Sequence, residues 1–167
     1  MQLTASNLAC ERGGRTVFSN QNFSLNSGEL LQLTGPNGSG KSSLLRLLAN
    51  LGEPSHGKIS LEGGAPDLTP GQQAHCIAHS DASKSALTVT ENLVFWRDFL
   101  GGGDLMRALQ AVNLAPLADY PAALLSAGQR RRLALARLAL VPRPIWLLDE
   151  PGVGLDDSAQ KLLAALM

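Results

Sequence analysis

The segment Gly35-Pro36-Asn37-Gly38-Ser39-Gly40-Lys41-Ser42 sets two glycines, a lysine and a hydroxyl at the spacing GxxxxGK[ST]. Glycines there let the backbone bend so that successive amide hydrogens converge on phosphate oxygens. A helix starting at that point adds a dipole that favours anions. Lys41 can neutralise β- and γ-phosphates, and the Ser42 hydroxyl can ligate Mg²⁺. With Ser43 in the same first turn, these residues form a candidate nucleotide site, of a kind shared by kinases, GTPases, helicases and transport ATPases. The bland alternative is a Gly-rich turn with an incidental lysine. Chance supplies roughly 0.005 such matches in a chain of this composition, so the spacing favours a nucleotide site.

Two further groups could do chemistry. Ile145-Trp146-Leu147-Leu148 is an apolar run that delivers two adjacent acids, Asp149 and Glu150. Asp149 can hold Mg²⁺ through water, and Glu150 can orient or deprotonate an attacking water. Alone, the pair fits equally a strand end whose acids are simply solvated. Leu125-Ser126-Ala127-Gly128-Gln129 opens a helix upstream. A small-residue turn at a helix N-terminus can bind an anion, although alone it reads as an ordinary cap.

These groups need elements to hold them. Residues 2–9 and 22–25 show partial period-two alternation and predict strands around a polar turn at 12–15. Residues 30–34 predict a short strand running into Gly35, and leucines at 44, 45, 47 and 48 predict a helix over 42–50. Short strands are expected at 59–61 and 76–78, and helices at 90–100, 104–112 and about 127–140. Pro142 and Pro144 close the last of these before a buried strand at 145–148. Strands alternating with helices predict an α/β fold: a P-loop core with a mixed, mainly parallel sheet, an N-terminal antiparallel portion and a small helical subdomain at about 80–125.

Composition narrows the function. Lys plus Arg number 14 and Asp plus Glu number 14, a formal charge of zero that argues against a general nucleic-acid binder. Aromatics are 4% of the chain, too few for a base-stacking platform. Cys10 and Cys76 match no zinc or CxxC spacing, and a disulfide framework is excluded. No run is apolar enough for a membrane-spanning helix, and residues 1–14 do not read as a signal peptide.

In this order and spacing, the phosphate loop, LSAGQ and Asp149-Glu150-Pro151 resemble the ATP-binding subunits of ABC transporters. Ala127 stands where the commonest family signature has glycine, and Gly154-Leu155-Asp156 resembles the D-loop. The stretches LACERGGRTVFS, ALTVTENLVFWRDFLGG and LSAGQRRRLALARLAL look closer still to the cytochrome c maturation, or haem-exporter, branch of that family. The resemblance implies a bacterial, inner-membrane-associated ATPase on the cytoplasmic face, coupled to a membrane permease subunit. It also implies a second ATP-binding subunit paired head to tail, in which Ser126 and Gly128 would contact the γ-phosphate on the opposite phosphate loop. No nucleic-acid partner is expected.

Several positions depart from that pattern. Arg12 lies where an adenine-stacking aromatic is usual; a guanidinium can stack on a purine, or this is a plain loop arginine. His79-Ser80-Asp81 occupies the place of the Q-loop glutamine, which leaves Ser80 a weaker role in Mg²⁺ or water contact. Gln72 and Gln73 come too early, and His79 reads as a loop histidine. Arg130, Arg131 and Arg132 read as a solvated helix face with one or two ion pairs; the sharper alternatives are a phosphate across a dimer or an acidic partner surface. A switch histidine is expected beyond the D-loop helix, and His56, His75 and His79 all lie upstream of it. The expectation is therefore a single domain over 1–167, cut after that helix, with Leu162, Leu163 and Leu166 poorly covered and hydrolysis inefficient. Rival readings are a non-transport soluble ABC-type ATPase and a binding-only fragment.

Overall fold

The computed structural model describes residues 1–153, 155 and 157–166, without the side chains at 158, 165 and 166. The chain divides into two compact units. The first comprises residues 1–76 and 144–149. Strands β1 (Gln2–Arg12) and β2 (Arg15–Asn26) form an antiparallel hairpin, with β3 (His56–Glu62) on the other side of β1. The turn is Gly13-Gly14, both at positive φ, as a two-residue hairpin turn demands. Along β1 the buried side chains are Leu3 and Ala5, then Leu8 and Cys10. The phase changes because the register shifts between Ala5 and Leu8, where Asn7 is left-handed at φ 49°. This bulge explains why the period-two alternation of the sequence is only partial. Gly57 is needed opposite it, since a Cβ there would come 2.4 Å from the Asn7 carbonyl oxygen.

Helix α1 (Lys41–Leu48) lays Leu44, Leu47 and Leu48 into the same core. Their i, i+3, i+4 spacing puts them on one face. Strands β4 (Ala74–Ile77) and β5 (Ile145–Leu148) pair with each other as the parallel part of the fold, and α1 packs on β5. The mixed α/β class with an antiparallel N-terminal portion is as expected. One element differs: residues 30–34 belong to no strand, and Leu30 and Leu31 are exposed. Only Leu33 of that run packs on the core. A strand is a pairing property, and an apolar run without a hydrogen-bonded neighbour does not become one.

The second unit comprises residues 77–143 and 150–167. It contains α2 (Val89–Leu100), α3 (Leu105–Ala111), α4 (Ala127–Leu140) and α5 (Asp157–Leu166). Thr88 caps α2 in a reciprocal box with Glu91, and Asp104 caps α3. Asn92, buried in α2, accepts from the Lys84 amide at 2.8 Å and donates to the Lys84 and Thr88 carbonyls, which fixes the preceding loop. Helix α4 is buried along most of its length, and Leu133, Leu135, Leu138 and Leu140 are core as expected. Arg137 is also buried there, with its guanidinium 4.2 Å from the Trp96 ring centroid. The expectation of a poorly covered last helix needs correction. Leu155, Ala159 and Leu163 form a buried stripe and α5 packs on α4, while Leu162 is half-buried. Within α5, the i, i+4 spacing puts Ala159 and Leu163 on one face. The Leu166 side chain lies outside the described residues. No helix among the described residues is long and apolar enough to cross a membrane.

Candidate functional site

In the first unit the phosphate loop leads directly into α1. Gly35, Gly38 and Gly40 have positive φ, and the Ser39 amide donates to the Pro36 carbonyl at 3.2 Å. Gly40 is the N-cap at φ 95°, and a Cβ on it would lie 2.7 Å from Val17 Cγ1 and 3.0 Å from Phe18 Cδ1. Only glycine suits both the conformation and the close approach of β2. The N-cap has no side-chain cap bond and no acid lies in the first turn of α1, so the start of the helix places no carboxylate of its own on the N-terminal amides. Lys41 Nζ donates to the Gly35 and Pro36 carbonyls at 2.8 and 2.9 Å, which draws the loop around its own cation. Asn37, Ser42 and the edge of Ser43 are accessible. Asp149 closes β5 in the same unit, half-buried.

The second unit holds Glu150 and the LSAGQ turn. Ser126 is the N-cap of α4: its hydroxyl accepts from the Gln129 amide at 3.2 Å, and the Gln129 side chain accepts from the Ser126 amide at 2.8 Å. This is a reciprocal capping box, so the ordinary cap is real. The cap leaves chemistry free, because a hydroxyl that accepts at the cap still carries a hydrogen to donate. Leu125 is buried, Ala127 is exposed, and Gly128 and Gln129 are half-buried. Arg130 donates to the Leu125 carbonyl. Of the D-loop, Leu155 is buried, and Gly154 and Asp156 lie outside the described residues.

Glu150 stands in the left-handed region at φ 48°. For a residue with a Cβ this conformation costs about 1–2 kcal/mol, so something else must hold it. Arg131 bonds to it: Nη2 donates to the Glu150 carbonyl at 2.9 Å, while Nη1 donates to the Ala78 carbonyl at 2.8 Å and to Asp81 Oδ1 at 3.3 Å. The Arg131 residue is 5% exposed. The arginine run is therefore not a uniformly solvated face. Helical phase explains the difference, because residue 131 lies one turn before Leu135 and two before Leu138, on the buried stripe. That phase was readable in the sequence, where the charge of the run masked it.

The loop after β4 completes the surroundings of Glu150. His79 is an exposed loop histidine whose Nδ1 lies 3.6 Å from Glu150 Oε2. His79, Asp81, Ala127, Arg131, Glu150 and Val153 line a recess of about 190 Å³. Ser80 is exposed beside it. Gln73 is no substitute for the missing loop glutamine: it is buried, and its amide clamps residues 65–68 by accepting from the Ala65 amide and donating to the Ala65 and Leu68 carbonyls. Arg12 sits at the hairpin tip opposite Arg15, exposed.

Comparison with known proteins places these features in a family. Residues 18–153 match the family model described as ABC transporter. A cytochrome c biogenesis ATP-binding export protein of Nitrobacter winogradskyi is 57% identical over 100% of this chain and 84% of its own length. A protein of the same name from Rhodopseudomonas palustris is 54% identical, with the same coverage of both chains. A solved ATP-binding subunit of an ABC transporter superposes with a TM-score of 0.87 at 25% identity, covering 100% of this chain and 73% of that one.

Proposed function

Since the chain belongs to the ABC transporter family, whose members bind and hydrolyse ATP, we propose that it is the ATP-binding, energy-coupling subunit of an exporter serving cytochrome c biogenesis. The observation that carries this reading is identity sustained along the whole chain to relatives bearing that name. The subunit would sit on the cytoplasmic face of the bacterial inner membrane and engage a membrane permease subunit. A second ATP-binding subunit would face it head to tail.

The residues divide the work by chemistry. The amides of Gly38 through Ser43 and the Lys41 ammonium bind the phosphates, and Lys41 exchanges its loop carbonyls for stronger, charge-assisted bonds to phosphate oxygen. Ser42 and Asp149 supply hard oxygen donors, and α1 packs on β5. Among the described residues no cluster of three or more His, Cys, Asp or Glu gathers. Mg²⁺ takes one or two protein oxygens and keeps phosphate and water for the rest. When bound, Mg²⁺ would neutralise charge developing on the phosphates. Glu150, with a half-exposed carboxylate, orients the attacking water and accepts its proton. The exposed Ser126 and the half-buried Gly128 would offer the hydrogen-bonding groups of the α4 N-terminus to the γ-phosphate on the opposite subunit.

The test is co-purification from native membranes of the bacterium. The tagged chain is expected to bring down a polytopic membrane protein and to hydrolyse ATP in that complex. Recovery with ribosomes or DNA, and without such a protein, would overturn the reading.

A further inference from the structure

We propose that Arg131 is a positioning residue for ATP hydrolysis, a guanidinium clamp that sets the Glu150 backbone and binds it to the loop after β4. This rests on the reading of Glu150 as the group that handles the attacking water. The clamp is built from three bonds of one buried side chain, to the Ala78 carbonyl, Asp81 Oδ1 and the Glu150 carbonyl. A planar fork can serve all three at once, which a lysine ammonium on a flexible stem cannot reproduce. The Glu150 carbonyl also accepts from the Val153 amide at 3.1 Å, closing the turn that follows β5. Arg131 thus anchors the one residue in that turn whose left-handed backbone aims the carboxylate.

The clamp also has a direction. Arg131 is in the second turn of α4, whose first residues are the LSAGQ turn. Its three partners lie on the two loops that carry His79, Ser80 and Glu150. A displacement of the α4 N-terminus is therefore delivered through a short, rigid linkage to the Glu150 carbonyl. Nucleotide contact at Ser126 and Gly128 and the placement of the Glu150 carboxylate become one event, and the loop after β4 moves with them.

Because a residue that acts through another gives non-additive effects with it, a double-mutant cycle in the membrane complex tests the proposal. Arg131→Met is expected to lower kcat roughly thirtyfold while the KM for ATP moves less than about threefold. In a Glu150→Gln background the same change should lower the residual rate less than about twofold. Arg131→Lys should recover only a small part of kcat. Hydrogen exchange on the nucleotide-free chain supplies a readout independent of turnover: the Val153 amide should exchange roughly tenfold faster in Arg131→Met, with the amides of α2 unchanged. Asp81→Asn, which preserves side-chain volume, serves if Arg131→Met fails to fold, and should show the same pattern about fivefold in kcat. Wild-type kcat in these variants, multiplicative loss with Glu150→Gln, or unchanged Val153 exchange would overturn the clamp. Full turnover by Glu150→Gln alone would instead remove Glu150 from the chemistry, and the two failures are thereby distinguished.

Discussion

At the scale of single residues, charge and shape can be separated by substitution. Lys41 already satisfies its ammonium with two loop carbonyls, so its truncation leaves the loop with unfilled carbonyls that water can reach. Its larger loss is toward phosphate, where hydrogen bonds to charged groups contribute about 1.5–3 kcal/mol each. Lys41→Ala is expected to weaken ATP binding roughly tenfold to a hundredfold in a calorimetric titration, with little change in thermal stability. Unchanged affinity would remove the loop from the site. Glu150→Gln is expected to behave oppositely: the amide keeps shape but accepts a proton poorly, so binding holds while phosphate release falls about 10²–10⁴-fold. As candidates these two residues are legible in the sequence because each sits in a local pattern, a glycine loop or an apolar strand ending in acids. Arg131 was obscured for the converse reason. Its significance depends on partners far away in sequence, Ala78, Asp81 and Glu150.

At the scale of elements, helices were more readable than strands. Helix α4 and strand β5 occupy the predicted spans, bounded by Ser126 before the helix and by the prolines before the strand. Caps and breakers act within a few residues, so they can be read locally. The strand expected at 30–34 depended on a pairing partner that no local pattern encodes. The β1 bulge at Asn7 likewise follows from register against two neighbours. A prediction at this scale concerns the N-terminus of α2. Thr88 and Glu91 form a capping box that satisfies two amides, and Thr88 lies outside every candidate nucleotide contact. Thr88→Ala is expected to destabilise the chain by about 1 kcal/mol, read as a lower urea midpoint with an unchanged slope, while nucleotide affinity stays the same. Larger loss, or a change in affinity, would mean that the start of α2 supports more than its own helix.

For the whole molecule, the most specific expectation is assembly. The LSAGQ turn presents hydrogen-bond donors at the start of a 14-residue helix, where an anion can be held. In the head-to-tail arrangement proposed above, a second copy would supply an anion to that turn, and ATP would act as the adhesive between subunits. With turnover blocked, the assembly should accumulate. Glu150→Gln is therefore expected to sediment as a dimer in ATP and as a monomer without nucleotide. Ser126→Asp separates the anion site from the cap. Aspartate is as good an N-cap as serine, so α4 keeps its start, but a second negative charge now faces the γ-phosphate and repels it. In the Glu150→Gln background, Ser126→Asp should leave ATP binding by the monomer within about twofold and weaken the dimer roughly a hundredfold or more. Asparagine at the same position keeps the cap without the charge, and should restore much of the dimer. Equal dimerisation by the aspartate variant, or an ATP-loaded Glu150→Gln chain that remains monomeric at high concentration, would sink the head-to-tail arrangement and leave the LSAGQ turn as a helix cap alone.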